Sequence, residues 1–255
     1  MSGWQAALSC LVLGLLIWLA LYLHIRFWVR RLLVSLPYAL EERLRTPDGS
    51  HIELRRLPLP EASSPLPPVL LVHGVGANHR NQDLLADLSL ARHLSRLGRD
   101  VWLLTLRSGV SRRSFAETRR VSFGAMVRHD LPMALAEVLA RTERDALDYV
   151  GFSMGGMLLY AAHTVHVDRV RRVAILGSPA VVRPPVPIPV PAFLGKLPEV
   201  LYPTLRLRWA ARAGAFAVEW LRTPAHHWVL NPANVAPGVS RAGLVNVVED
   251  VPGPL

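Results

Sequence analysis

Residues Gly151-Phe152-Ser153-Met154-Gly155-Gly156 carry the clearest chemical signal in this chain. A serine hydroxyl becomes a nucleophile when the backbone lifts it clear of its surroundings and a base takes its proton. The G-x-S-x-G pattern supplies the first condition when a strand precedes it and a helix follows. Here the apolar run Ala146 to Val150 precedes it, reading as a strand despite Asp148, and Met157-Leu158-Leu159-Tyr160-Ala161-Ala162 continues as a helix. Ser153 is therefore expected at a tight strand-to-helix corner. Gly151 and Gly155 are expected where backbone meets backbone and a Cβ would collide. The same corner aims the Met154 amide into the space in front of the hydroxyl.

The elements needed to position such a corner are legible along the chain. Val69-Leu70-Leu71-Val72 is a short, continuous apolar run, as a strand buried on both faces would show. Asp100 to Leu106 and Val170 to Leu176 read as further strands. Helical spacing is seen at Asp83 to Leu97, stopped by Gly98, at Phe123 to Arg141 with Pro132 as a local break, and at Met154 to His166. Strands alternating with helices predict an α/β fold with a mostly parallel sheet flanked by helices. Ahead of this region, Tyr38 to Arg45 is read as one or two helical turns. Thr46-Pro47-Asp48-Gly49-Ser50 is read as a hairpin turn, and His51 to Leu57 as an edge strand. Beyond Val181 the texture changes. Five prolines between Pro184 and Pro191 form an extended lead, Thr204 to Leu221 is read as helical, and another short helix is read from Ser240. This last region is expected to be a helical cap over the carboxyl edge of the sheet. Its arginines and aromatics would either rest on lipid or pack on the domain.

The amino terminus is of another kind. No Asp, Glu, Lys or Arg occurs from Met1 to His24, and Trp4 to Leu23 is apolar except for Gln5 and Ser9. About 20 apolar residues span a hydrocarbon core. Arg26, Arg30 and Arg31 follow at once, and no basic residue precedes the run, which places the carboxyl side in the cytoplasm. The competing reading, a cleaved signal peptide, calls for a basic start and a small-residue cleavage site. The expected organisation is a single-pass anchor with its basic flank at residues 1–31, a core at 46–180 and the cap-like segment at 181–255.

Composition agrees with a membrane-associated chain. Of the 255 residues 51% are hydrophobic, the mean hydropathy is +0.27, and the net charge is +10 with Lys196 the only lysine. The arginines are scattered among apolar residues, so an anionic lipid surface explains the charge better than nucleic acid, for which no motif is seen. Cys10 is the only cysteine, which excludes an intrachain disulfide. No metal-ligand spacing occurs, and no Gly-rich segment leads into Gly-Lys-Ser/Thr, so no metal, cofactor or phosphate site is expected.

Taken with His73-Gly74-Val75-Gly76 after the buried strand, Leu106-Arg107-Ser108-Gly109 after the next, and Arg128-His129-Asp130-Leu131-Pro132 opening the helix before the elbow, the chain resembles the α/β-hydrolases, most of all lipase- and esterase-like members. The resemblance covers about residues 46 to 180. It implies that Ser153 is the nucleophile and that the amides of Val75 and Met154 form an oxyanion hole. It also implies that His73, Gly74 and Gly76 shape the loop carrying Val75, so that His73 is not the base. The substrate implied is a hydrophobic acyl ester. In the family an acid and a histidine follow the serine, in that order, on loops after later strands. Beyond residue 180 neither an acidic turn after a further strand nor a Gly-His is found, and His163, His166, His226 and His227 have no suitably placed acid. The sheet is therefore expected to lack its last strands and the triad its acid and base. Two functions remain at this point: a membrane-anchored serine hydrolase of carboxylic esters, truncated and inactive as it stands if the acid and base are missing, or a non-catalytic relative that binds a ligand or partner.

Overall fold

The computed structural model describes residues 3–59, 66–111, 113–181, 204–218, 234–236 and 238–252, without the side chains of 163–167. The chain divides into two compact units. One comprises residues 35–207 with 247–255, the other residues 1–34 with 208–246.

The larger unit is built on a six-stranded sheet: β1 (Leu40–Arg45), β2 (His51–Arg56), β3 (Val69–Val72), β4 (Val101–Thr105), β5 (Leu147–Phe152) and β6 (Val170–Leu176), in the order β1-β2-β4-β3-β5-β6. β1 pairs antiparallel with β2, and β2 with β4, while β4, β3, β5 and β6 run parallel. The run 69–72 is apolar throughout because both faces of β3 are covered. Leu70 and Val72 join one core with Ile52, Trp102, Leu104, Leu135 and Leu158. Val69 and Leu71 join another with Leu57, Ala91, Val101 and Leu103. At the far end β6 borders no further strand among the described residues, and Val173 and Leu176 on it are exposed.

Three local expectations are corrected. Tyr38 to Arg45 forms no helical turn. Residues 40–45 are a strand whose alternate positions, Leu40, Glu42 and Leu44, are half-buried, because pairing with β2 along its whole length outweighs weak helical propensity. β2 is consequently not an edge strand but lies between β1 and β4. The helix read over 83–97 is confined to α2 (Leu90–Arg96). Asp83, fully buried, accepts hydrogen bonds from Ser89 Oγ (2.6 Å) and Arg92 Nε (2.9 Å). Ser89 Oγ in turn accepts from the Arg92 amide at 2.9 Å, so it caps the helix and forces a turn before it.

The helical layer comprises α3 (Phe115–Arg119) and α4 (Phe123–Ala125), with α4 passing through a wide turn, Met126–Asp130, into α5 (Leu131–Thr142), and α6 (Met154–His166). Pro132 sits in the first turn of α5, where its missing N–H costs nothing. Arg107, after β4, is fully buried against Asp130: its amide donates to Oδ2 (3.0 Å) and its Nε to Oδ1 (2.8 Å). Its guanidinium also grips Asp48 of the hairpin turn at 2.6 and 3.0 Å. This buried ion triad ties the β1–β2 turn and the α4–α5 junction to the carboxyl end of β4.

The smaller unit contains α1 (Gly3–Leu32), most of α7 (Leu207–Gly214) and α8 (Val239–Asn246). α1 has no buried residue, and it is the one described helix long and apolar enough to cross a membrane, a test that a signal sequence also passes. Its carboxyl end is capped by Asn246. Nδ2 donates to the Leu32 carbonyl at 2.9 Å, and Oδ1 accepts from the Val34 amide at 2.9 Å. The proline-rich run 184–191 lies outside the described residues.

Candidate active site

β5 runs to Phe152, two residues further than its apolar pattern, and α6 begins at Met154, so the whole corner is Ser153. Its φ is +51°, in the left-handed region where a side chain costs about 1 kcal/mol or more. The strain is held by what surrounds it. The Ser153 amide donates to the Leu176 carbonyl of β6 at 2.8 Å, and its carbonyl accepts from the amides of Gly156 (3.0 Å) and Met157 (3.2 Å), which starts the helix. The glycines are required by close approach. A Cβ on Gly155 would lie 2.4 Å from the Val72 carbonyl oxygen, and one on Gly151 would lie 2.6 Å from the Gly156 nitrogen. Below them the buried Tyr149 hydroxyl donates to the Gly155 carbonyl at 2.6 Å.

The loop after β3 reaches the same place. A Cβ on Gly74 would fall 3.1 Å from Ser153 Cβ, so glycine lets this loop lie against the corner. His73 is fully buried with both ring nitrogens engaged. Nε2 accepts from the Leu106 amide at 3.0 Å, and Nδ1 donates to the Gly74 carbonyl at 2.7 Å. That pairing fixes a neutral ring with its proton on Nδ1. Burial pushes the pKa down to about 4 against the opposing pull of the Gly74 carbonyl. The bond to Gly74 has a geometric consequence. The Gly74 carbonyl and the Val75 N–H belong to one planar trans peptide and point in opposite directions. By holding the carbonyl, His73 sets the direction of the Val75 amide. The Val75 and Met154 amides make no backbone hydrogen bond among the described residues, and the Met154 amide lies at the positive end of the 13-residue helix α6.

Sequence reasoning had not picked out the polar residues that brace this loop. Gln82 Nε2 donates to the Val72 carbonyl at 2.8 Å, and Asn81 Oδ1 faces the Gly74 amide at 3.4 Å. Gly76, at φ +63°, has the Glu249 amide on its carbonyl at 2.8 Å. Asn78 Nδ2 donates to the Glu249 carboxylate at 2.8 Å. No local pattern announces these residues, because their partners lie on other elements.

Among the described residues the Ser153 hydroxyl makes no hydrogen bond. His79, half-buried, lies beside Thr105 Oγ1 (3.2 Å), and His51 pairs with Glu117 (2.6 Å). Asp168 lies in the turn entering β6, on the rim opposite Ser153, because β5 and β6 are parallel. His226 and His227, and the side chains of His163 and His166, lie outside the described residues.

This arrangement of sheet, corner and loop agrees with the comparisons. The family model of the alpha/beta hydrolase fold matches residues 67–234, and the chain belongs to that family. Its relatives are lipase- and esterase-like hydrolases. Over 145 residues it is 30% identical to human gastric triacylglycerol lipase, an alignment covering 52% of this chain and 36% of the lipase. It is 29% identical over 174 residues to the lysosomal acid lipase/cholesteryl ester hydrolase of Macaca fascicularis, covering 63% and 44%. The chain thus spans less than half the length of these curated relatives. Among solved structures, a thioesterase domain from the curacin biosynthetic pathway superposes with a TM-score of 0.49 at 17% identity, covering 84% of this chain and 70% of that one. A bacterial membrane phospholipase A gives 0.46 at 17% identity, covering 96% and 69%.

Proposed function

We infer that this chain is a membrane-anchored serine hydrolase of carboxylic esters, with Ser153 as its nucleophile. The observation that carries the reading is Ser153 at φ +51°, with the Gly74 loop against its Cβ. Strain of this kind persists where the fold over-determines it, and it is concentrated at functional sites. In the proposed reaction Oγ attacks the ester carbonyl, and the hydroxyl proton passes through a general base to the departing alcohol. Water then cleaves acyl-Ser153 to release the acid and restore the hydroxyl. The negative charge on the carbonyl oxygen in the tetrahedral intermediate is received by the Val75 and Met154 amides. Losing one such donor typically costs about 3–4 kcal/mol of transition-state stabilisation. Relatives named for triacylglycerol and cholesteryl ester support a hydrophobic acyl ester as substrate. α1 would anchor the protein, and Arg26, Arg30 and Arg31 at its carboxyl end favour placing the hydrolase unit on the cytoplasmic side.

A second reading is a non-catalytic relative that binds a ligand or partner at the same loop. It is favoured by the Ser153 hydroxyl having no histidine on it among the described residues. A fluorophosphonate probe separates the two. Covalent labelling of the purified full chain, abolished in Ser153→Ala, is the expected result. Absence of labelling in the wild type would leave the binding reading in possession.

A further inference from the structure

The carboxyl-terminal stretch 249–251 belongs to the same compact unit as the corner, although 96 or more residues separate it from Ser153 in sequence. It lies across the loop that carries Val75. The Glu249 amide donates to the Gly76 carbonyl at 2.8 Å. Val251 Cγ2 fills the space beside Gly76, 3.1 Å from where a Cβ would sit. Val251 itself is paired with Leu205 through reciprocal backbone bonds of 2.8 and 3.1 Å. The Glu249 side chain is buried, only 4% exposed, and its Oε1 accepts from Asn78 Nδ2 at 2.8 Å and from Ser111 Oγ at 3.2 Å. Asn78 is committed in turn, since its Oδ1 accepts from the Arg80 amide at 2.9 Å and ends the loop in a short helical turn.

A carboxylate taken from water into such a place is costly unless its acceptor sites are used. A leucine could fill the volume but could not meet Asn78 and Ser111. With its backbone amide on the Gly76 carbonyl and its carboxylate on the Asn78 side chain, Glu249 grips one five-residue loop at two points. His73 holds the Gly74 carbonyl upstream of Val75. Glu249 holds the next carbonyl but one downstream, and through Asn78 the end of the loop. The Val75 amide lies in the peptide plane held by His73, and the plane that follows Gly76 is held by Glu249.

We propose that Glu249 is a positioning residue, which orients the Val75 N–H toward the oxyanion by clamping residues 76–78 from the carboxyl-terminal segment. The proposal rests on Ser153 and Val75 acting as inferred above. Its carboxylate meets Asn78 and Ser111, and through Asn78 it acts on the loop that carries the oxyanion-hole donor.

The test uses the full chain in detergent micelles, labelled with a fluorophosphonate at increasing concentrations, so that the maximal rate of covalent reaction is separated from probe affinity. Glu249→Ala is expected to lower the maximal rate at Ser153 about tenfold with little change in affinity, since a small misplacement of a donor weakens transition-state contacts more than ground-state ones. Glu249→Gln keeps a carbonyl oxygen for Asn78 and is expected to stay within about twofold of wild type. If Glu249→Ala does not fold, Asn78→Asp gives the reading instead. It keeps the acceptor for Arg80, turns the donor that meets Glu249 into a second carboxylate, and is expected to reproduce the loss of rate. Wild-type rates in Glu249→Ala, or in Asn78→Asp, would overturn the clamp while leaving the serine hydrolase intact. So would an equal loss in Glu249→Gln and Glu249→Ala. A wild-type chain that fails to react would remove the hydrolase reading, and the clamp with it.

Discussion

The two loops that meet at Ser153 are held by opposite means. The corner after β5 is held by contact: Gly151, Gly155 and Gly156 allow α6 to lie against β3 and β6 at separations that admit no Cβ, and one buried hydroxyl, Tyr149, reaches in from below. The loop after β3 is held by hydrogen bonds: His73, Asn78, Asn81, Gln82 and Glu249 engage its carbonyls, its amides or one another. Steric support is rigid and fails all at once. Hydrogen-bonded support is adjustable, and it depends on the protonation of its members. A nucleophile needs the first, since its Oγ must stay in a strained place. A donor loop that has to meet a moving charge is well served by the second.

The sharpest way to break this contrast is to add one methyl group. Gly155→Ala places a Cβ 2.4 Å from a backbone oxygen of the central strand and 3.0 Å from the His73 carbonyl, neither of which can step aside without moving β3. Overpacking of a well-packed core costs about 1–3 kcal/mol and at times more, and a collision with backbone on this scale belongs at or above the top of that range. Expression should fall and the denaturation midpoint of any folded fraction should drop steeply. A Gly155→Ala chain of wild-type stability would show that the corner is not held by contact.

How much of each loop could be read from sequence follows the same division. Steric support is local: Gly151, Ser153, Gly155 and Gly156 stand within six residues, and the apolar runs around them announce strand and helix. The hairpin turn at 46–50 and the doubly buried β3 were legible for the same reason. Hydrogen-bonded support is not local. Asn78 and Glu249 are 171 residues apart, and Arg107 and Asp130 are 23 apart on different elements, so neither pair leaves a pattern in a window of any length. The misreading of Tyr38 to Arg45 has the same root. A six-residue stretch of two leucines and four charged residues fits a strand once β2 is there to pair with it, and nothing inside the stretch says so. His73 is an intermediate case. The resemblance gave it a loop-shaping role, but only the bonds to Gly74 and Leu106 show how it does this, through one peptide plane.

The hydrogen-bonded loop should also betray itself in acid. His73 is neutral when folded, with its pKa lowered by burial from 6.5 to about 4, and burial lowers that of His79 as well, aided by Arg55, Arg80 and His73. Between those values the unfolded chain binds a proton that the folded chain refuses. Stability is therefore complete above about pH 6.5 and declines as pH falls toward 4, His73 alone accounting for about 3 kcal/mol by then. Glu117, held down to about 2 chiefly by the Ser114 amide, begins to add its own loss only as pH falls through the ordinary value of 4.5. The upper part of the acid limb thus belongs to the histidines. Denaturant midpoints measured from pH 7.5 to 4.5 should fall with a slope that His73→Gln reduces to the remainder left by His79. An unchanged slope would mean that His73 is protonated or loosely held in the folded state, and the Val75 amide would lose its support.

The smallest effect concerns the meeting point itself. Ser153 holds φ at +51° with a side chain present, and glycine alone adopts that region without a steric cost. Ser153→Gly removes the strain but gives the unfolded chain more freedom, so the net gain is only about 0.5–1 kcal/mol. The same change removes the Ser153 hydroxyl. A chain that becomes slightly more stable while losing all reaction with the fluorophosphonate would show that the strain is kept for the chemistry and not for the fold. If Ser153→Gly were instead destabilising, the contacts made by the serine side chain would outweigh its backbone cost. The corner would then be a structural turn that happens to carry a hydroxyl, and the contrast between the two loops would lose its functional meaning.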